Sequence, residues 1–136
     1  LGFAFAPFWG HPGGLNHNTL QFVLNDSATV YHNPEWSTLL FRKFLDNEGF
    51  KQEFICKFVQ HLEGTFYPQR VISIIDSLAK NIESEMPRHI DRWKDEADYA
   101  LQSVEDWQLE LDVLREFARQ RPEIVRTHLQ IYFKEI

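Results

Sequence analysis

Between residues 33 and 136 the apolar positions recur every three or four residues, the spacing of amphipathic helices. In NPEW, Asn33 is placed to cap a helix, with Pro34 at its first position and Glu35 near the positive end of the dipole. The pattern continues through STLLFRKFL and should stop near Asp46-Asn47. A second helix is expected from Glu48, where Phe50, Phe54 and Phe58 stand four apart and Leu62 completes the stripe; Gly64 ends it. Pro68 opens the longest segment, with Val71, Ile75, Leu78, Ile82, Met86 and Trp93 at helical spacing. Pro87 removes one backbone donor inside that segment and predicts a kink or break near Glu83. Ser103 with Asp106 resembles a capping box carrying the shorter acid. Beyond it Trp107, Leu111, Leu114 and Ala118 alternate in steps of four and three, an apolar seam. Pro122 then sits in the first turn of a last helix that buries Ile124, Val125, Leu129 and Phe133. Helices are thus predicted near 34–46, 48–63, 67–94, 103–120 and 122–135. Short connections favour antiparallel neighbours. The expected fold is mainly α, an irregular bundle of about five helices, without internal repeats.

Residues 1–32 have a different character. Gly2, Gly10, Gly13, Gly14, Pro7 and Pro12 break regular structure, so residues 1–19 read as a loop. The rings of Phe3, Phe5, Phe8 and Trp9 set it apart from a polar linker and predict that it packs against something. TLQFVLND follows as a short piece whose pattern suits either extended chain or helix.

Composition narrows the function classes. With 136 residues, 43% hydrophobic and 15% aromatic, the chain has the make-up of one folded domain. Its net charge of -6 does not recruit nucleic acid by simple electrostatics, and no run approaches the length of a membrane span. Cys56 is the only cysteine, which excludes an intramolecular disulfide and a Cys-rich zinc site; FICKFV reads as a buried thiol.

Residues 33–136 offer no catalytic constellation by pattern. The carboxylates Glu83, Glu85, Asp91, Asp95, Glu96 and Asp98, interleaved with Arg88, Arg92 and Lys94, read as a solvated helix face. Ser73, Asp76 and His89 make a triad only on paper, because no nucleophile turn supports it. Trp36, Trp93 and Trp107 fall on helical stripes and read as packing residues. The functional candidate is the loop, with His11, His17 and Asn18 as its candidate side chains. The histidines flank Gly13-Gly14, yet their spacing matches no helical metal pair and no carboxylate completes a set, so they read as loop histidines. GHPGG lacks the Lys-Ser/Thr of a phosphate-binding loop.

One long pattern resembles a known family. Leu40, Arg42, Leu45 and Asn47, then Phe50 and Phe54, then Thr65, Phe66, Pro68, Arg70 and Val71, then Glu85, Met86, His89, Arg92 and Trp93 follow, in order and spacing, the C-terminal part of the CotH kinase-like family. The resemblance implies an atypical protein-kinase-like fold that uses Mg and ATP to phosphorylate serine or similar acceptors on partner proteins. It implies that Gly2 and Phe3 are the tail of a metal-binding motif whose aspartates lie upstream. Residues 1–32 would then be a loop leaving that site, and residues 33–136 the helical part of a domain whose N-terminal portion is missing. The chain by itself is expected to be inactive and to have that missing portion as one partner. A protein substrate, or a coat or envelope partner, is the other, since the family suggests a bacterial cell surface, envelope or spore coat. The alternative expectation is a non-catalytic protein-interaction module.

Overall fold

The computed structural model describes residues 14–24, 34–97 and 100–134, and among them every regular element is helical. The elements are α1 (Thr19–Leu24), α2 (Glu35–Leu45), α3 (Glu48–Glu63), α4 (Pro68–Ile82), a 3-10 turn (Glu83–Glu85), α5 (Met86–Trp93) and α6 (Val104–Tyr132). The expected helical bundle is therefore present, and TLQFVL, ambiguous by pattern, is a helix.

Local chemistry sets most of the boundaries. The Asn47 side chain accepts the Phe50 N–H at 3.0 Å and starts α3, and Gly64 caps its end. A Cβ at Gly64 would stand 3.1 Å from the Gln60 carbonyl oxygen, so the chain turns there where only hydrogen fits comfortably. Pro68 takes the first position of α4, where its missing N–H would be unpaired in any residue. Ser103 Oγ accepts from the Asp106 N–H at 3.0 Å, and the Asp106 carboxylate reaches back to the Gln102 N–H at 3.2 Å. This is the predicted capping box, with its return bond one residue earlier than usual. The segment 67–94 breaks at Glu83–Glu85, as Pro87 predicts. At α2 the cap is Pro34 rather than Asn33, which lies outside the described residues.

Two apolar clusters hold the helices together, and α6 serves both. In the first, Leu20 of α1 and Ile55 and Leu62 of α3 meet Val125, Leu129 and Phe133, with Leu129 fully buried. In the second, Ala79 of α4 and Met86 and Ile90 of α5 meet Trp107 and Leu111. Arg115 joins the partners of the second cluster through Asp76 of α4, at 2.7 Å.

Three expectations are corrected. First, residues 103–120 and 122–135 are not two helices: α6 runs unbroken through Pro122 to Tyr132, with Phe133 as its cap. Proline there deprives the Ala118 carbonyl of its donor, a cost of about 3 kcal/mol. Continuity wins because each half of α6 is seated in its own cluster, and burying one Leu-sized side chain contributes about 2 kcal/mol. Second, Cys56 is exposed, because the buried face of α3 runs through Ile55 and Leu62 instead. Third, of the helical tryptophans only Trp107 is buried. Trp93 is partly exposed under the Arg92 guanidinium at 4.8 Å, and Trp36 is 77% exposed. Leu78 and Ile82, which recur at helical spacing with Ile75, are exposed, because the face of α4 that meets α6 is the one carrying Ile75 and Ala79.

Candidate functional site

The C-terminal end of the glycine-rich loop is fastened to the long helix. Gly14 has φ 105°, a left-handed conformation that a side chain would strain. A turn follows, closed by the His17 N–H donating to the Gly14 carbonyl at 3.1 Å. Asn18 ends the turn by capping α1: its side-chain oxygen accepts from the Gln21 N–H at 2.9 Å. Arg121 of α6 then reaches across more than a hundred residues of sequence. Its Nη1 donates to the Leu15 carbonyl at 2.5 Å and its Nη2 to the His17 carbonyl at 2.7 Å. Both are charge-assisted bonds of the stronger kind. Phe117 lies one turn earlier, with the guanidinium 5.9 Å from its ring centre.

Burial makes this group unusual. Arg121 is half-buried, and the loss of water around it lowers its pKa from the ordinary arginine value. His128, two turns further along α6 and also half-buried, has its pKa lowered first by burial and then by the charges of Arg121 and His17. Arg121 and the turn that it holds through the carbonyls of Leu15 and His17 are thus one unit joining the loop to the helix.

Of the residues singled out in the sequence, His17 and Asn18 belong to this unit, while Gly2, Phe3 and His11 lie outside the described residues. Arg121 was missed as a partner of the loop, although a signal existed. The four-three alternation of Trp107, Leu111, Leu114 and Ala118 continues to Arg121, Val125 and His128, so two ionisable residues occupy seam positions. Placing a helix break at Pro122 hid that continuation.

The other candidate chemistry resolves into scaffolding. Arg115 donates from Nε to Asp76 at 2.8 Å and from Nη1 to Asp112 at 2.8 Å. These bonds, that to Asp76 first, raise the arginine pKa above its ordinary value. Asp76 is thereby committed to Arg115 and not to His89, which is exposed along with Ser73. Beside the pair lies an open cleft of about 240 Å³, lined also by Ala79, Lys80, Glu83 and Trp107. On α5 Lys94 pairs with Asp91 at 3.3 Å on a solvated face. Among the described residues no group of three His, Cys, Asp or Glu side chains could hold a metal ion, and no helix is long and apolar enough to cross a membrane.

The sixty-residue pattern of the sequence now has a structural account. Asn47 and Pro68 start helices, Met86 is a core residue, and Phe54 packs on the first cluster. Arg42 holds Thr38 at 2.6 Å and the Glu35 carbonyl at 3.1 Å, and Thr65 meets His61 at 3.0 Å. Compared with protein families, the chain matches the family model described as CotH kinase protein over residues 3–125. The chain belongs to the CotH family. Neither the comparison with curated proteins nor that with solved structures returns a match. The matched span runs from the loop through α5 and most of α6, so the Arg121 contact with the loop lies within the CotH portion of the chain.

Proposed function

We propose that this chain is the helical part of a CotH-like phosphotransferase domain, which transfers the γ-phosphate of ATP to a hydroxyl on a partner protein. The observation that carries the reading is the family match over residues 3–125 of 136. In this reading the helices are a scaffold: α6 and α1 fix the far end of a loop whose near end, Gly2 and Phe3, leaves the metal and nucleotide site. Magnesium asks for several oxygen ligands in near-octahedral geometry. The described residues do not fit that need, and Gly2 and Phe3 have no side-chain oxygen to offer. No step through the metal or the nucleotide is therefore assigned to these residues, and the chain alone should be catalytically silent.

A second reading is a non-catalytic module that binds a coat or envelope protein. The observation favouring it is the stripe Trp36, Leu40 and Phe44 on α2, where Leu40 is 68% exposed. Calorimetry with Mg-ATP separates the two, run on this chain and on one extended upstream through the whole family domain. Binding by the extended chain alone supports the phosphotransferase. Binding by neither favours the module. Binding by the 136-residue chain would place the nucleotide site among its own residues.

A further inference from the structure

The apolar face of α4 is wider than α6 covers. Ile75 and Ala79 turn toward the second cluster, while Ile74, Leu78 and Ile82, at every fourth position beside them, stay 47%, 62% and 49% exposed. Val71, half-buried, adds an apolar position at the start of this row. Charge is confined to the two ends of the row. Arg70 lies one turn before Ile74. Glu85 follows Ile82 by three residues in the 3-10 turn, where that spacing stacks side chains along one edge. Both are exposed, and among the described residues neither is held in an ion pair. At the break α5 leaves this line, carrying Met86 and Ile90 into the second cluster. We propose that the row is a docking surface for a second copy of the chain, the two α4 helices packing antiparallel about a two-fold axis at Leu78. The contact is independent of the phosphotransfer reading, since it concerns what covers α4 and not what the loop does.

Symmetry selects the occupant. A two-fold contact requires that residue i of one copy meet j of the other and that j meet i. With the axis at Leu78, that side chain meets its own copy, and Ile74 meets the partner's Ile82 in both directions. Arg70 and Glu85 each stand about 12 Å from Leu78 along the helix, at about 1.5 Å per α-helical residue and about 2.0 Å in the 3-10 turn. Reversing the row therefore sets the guanidinium of each copy against the carboxylate of the other. A parallel arrangement would set Arg70 against Arg70 and Glu85 against Glu85, and like charges oppose it. Ser77 and Asn81 flank the middle of the row and are uncharged, so no like charges meet near the axis. Steps of three, four and four from Val71 to Ile82 approach the period of about 3.5 that suits a shallow crossing of about 20°, which keeps the charged ends together. A partner of unrelated sequence would need no such match of the row with its own reverse. Three exposed apolar side chains per copy make a small contact, so the association is reversible.

Sedimentation velocity on the 136-residue chain tests the contact, from about 10 μM to about 1 mM, the range in which small interfaces form. The weight-average mass should climb toward twice that of one chain. Leu78→Glu brings two carboxylates together at the axis and should weaken association by at least about tenfold. That side chain is mostly in solvent, so the fold should persist, which circular dichroism checks. Charge reversal decides whether the row pairs with itself. Arg70→Glu and Glu85→Arg should each weaken self-association by roughly three- to tenfold, since each change acts twice across the axis. An equimolar mixture of the two variants should associate as well as the natural chain, because one carries only acids at the ends of the row and the other only bases. A natural chain that stays monomeric throughout this range overturns the proposal. So does a mixture no better than its separate components, and so does association that survives Leu78→Glu but is lost with Leu40→Glu on α2.

Discussion

Replacing Pro122 by alanine should make the protein more stable, and the size of the gain tests whether α6 is one helix. In a continuous helix, proline costs about 3 kcal/mol relative to alanine, because an N–H is lost and the ring crowds the carbonyl four residues back. That carbonyl belongs to Ala118, whose residue is buried, so water is poorly placed to replace the missing donor. Against this stands the stiffness that proline gives the unfolded chain, worth about 0.4–1 kcal/mol. The difference is a net stabilisation of about 2 kcal/mol. Urea unfolding followed by circular dichroism should show the midpoint rising with little change in slope. The thermal midpoint should rise by roughly 6–8 °C for a domain of this size. Pro68→Ala is the control. There the proline sits at the first position of α4, the missing N–H costs nothing, and the substitution should be neutral or slightly destabilising. A Pro122→Ala variant that is no more stable than the natural chain would refute the reasoning and restore two helices meeting at residue 121.

Three further outcomes follow from burial and capping. Leu129→Ala should cost about 3–4 kcal/mol, because the side chain is fully buried between α1, α3 and α6, whereas Leu109→Ala on the exposed face should stay within about 0.5 kcal/mol; equal effects in urea titrations would contradict the placement of the first cluster. Ser103→Ala should cost about 1 kcal/mol and raise exchange selectively at Asp106 and neighbouring amides of the first turn of α6. Cys56 should react with an aromatic disulfide reagent in the native state at a rate close to that of the urea-unfolded chain, and protection by more than about tenfold would show that the thiol is covered.

Much of the fold was legible because its signals act over one or two turns. Asn47, Gly64, Pro68 and Ser103 each satisfy or spare a backbone group within four residues, so both ends of α3 and the starts of α4 and α6 could be read from neighbouring letters. The break at Glu83–Glu85 was equally local, set by Pro87 one turn on. The stripe on α3 showed which residues are apolar, but not how far the neighbouring helices would cover them. Cys56 therefore came out exposed, and Trp36 and Leu40 are left in solvent although they fall on a helical stripe.

What the sequence determined by itself is the helical class, most helix ends and the membership pattern that leads to the CotH family. Only the tertiary structure decided that α6 continues through Pro122 and that its Arg121 holds the carbonyls of Leu15 and His17. The first outcome weighs a local penalty of about 3 kcal/mol against burial on both sides of the proline, and that burial depends on α1, α3, α4 and α5 arriving at α6. The second joins groups 104 and 106 positions apart, and no periodicity along the chain carries a contact of that length.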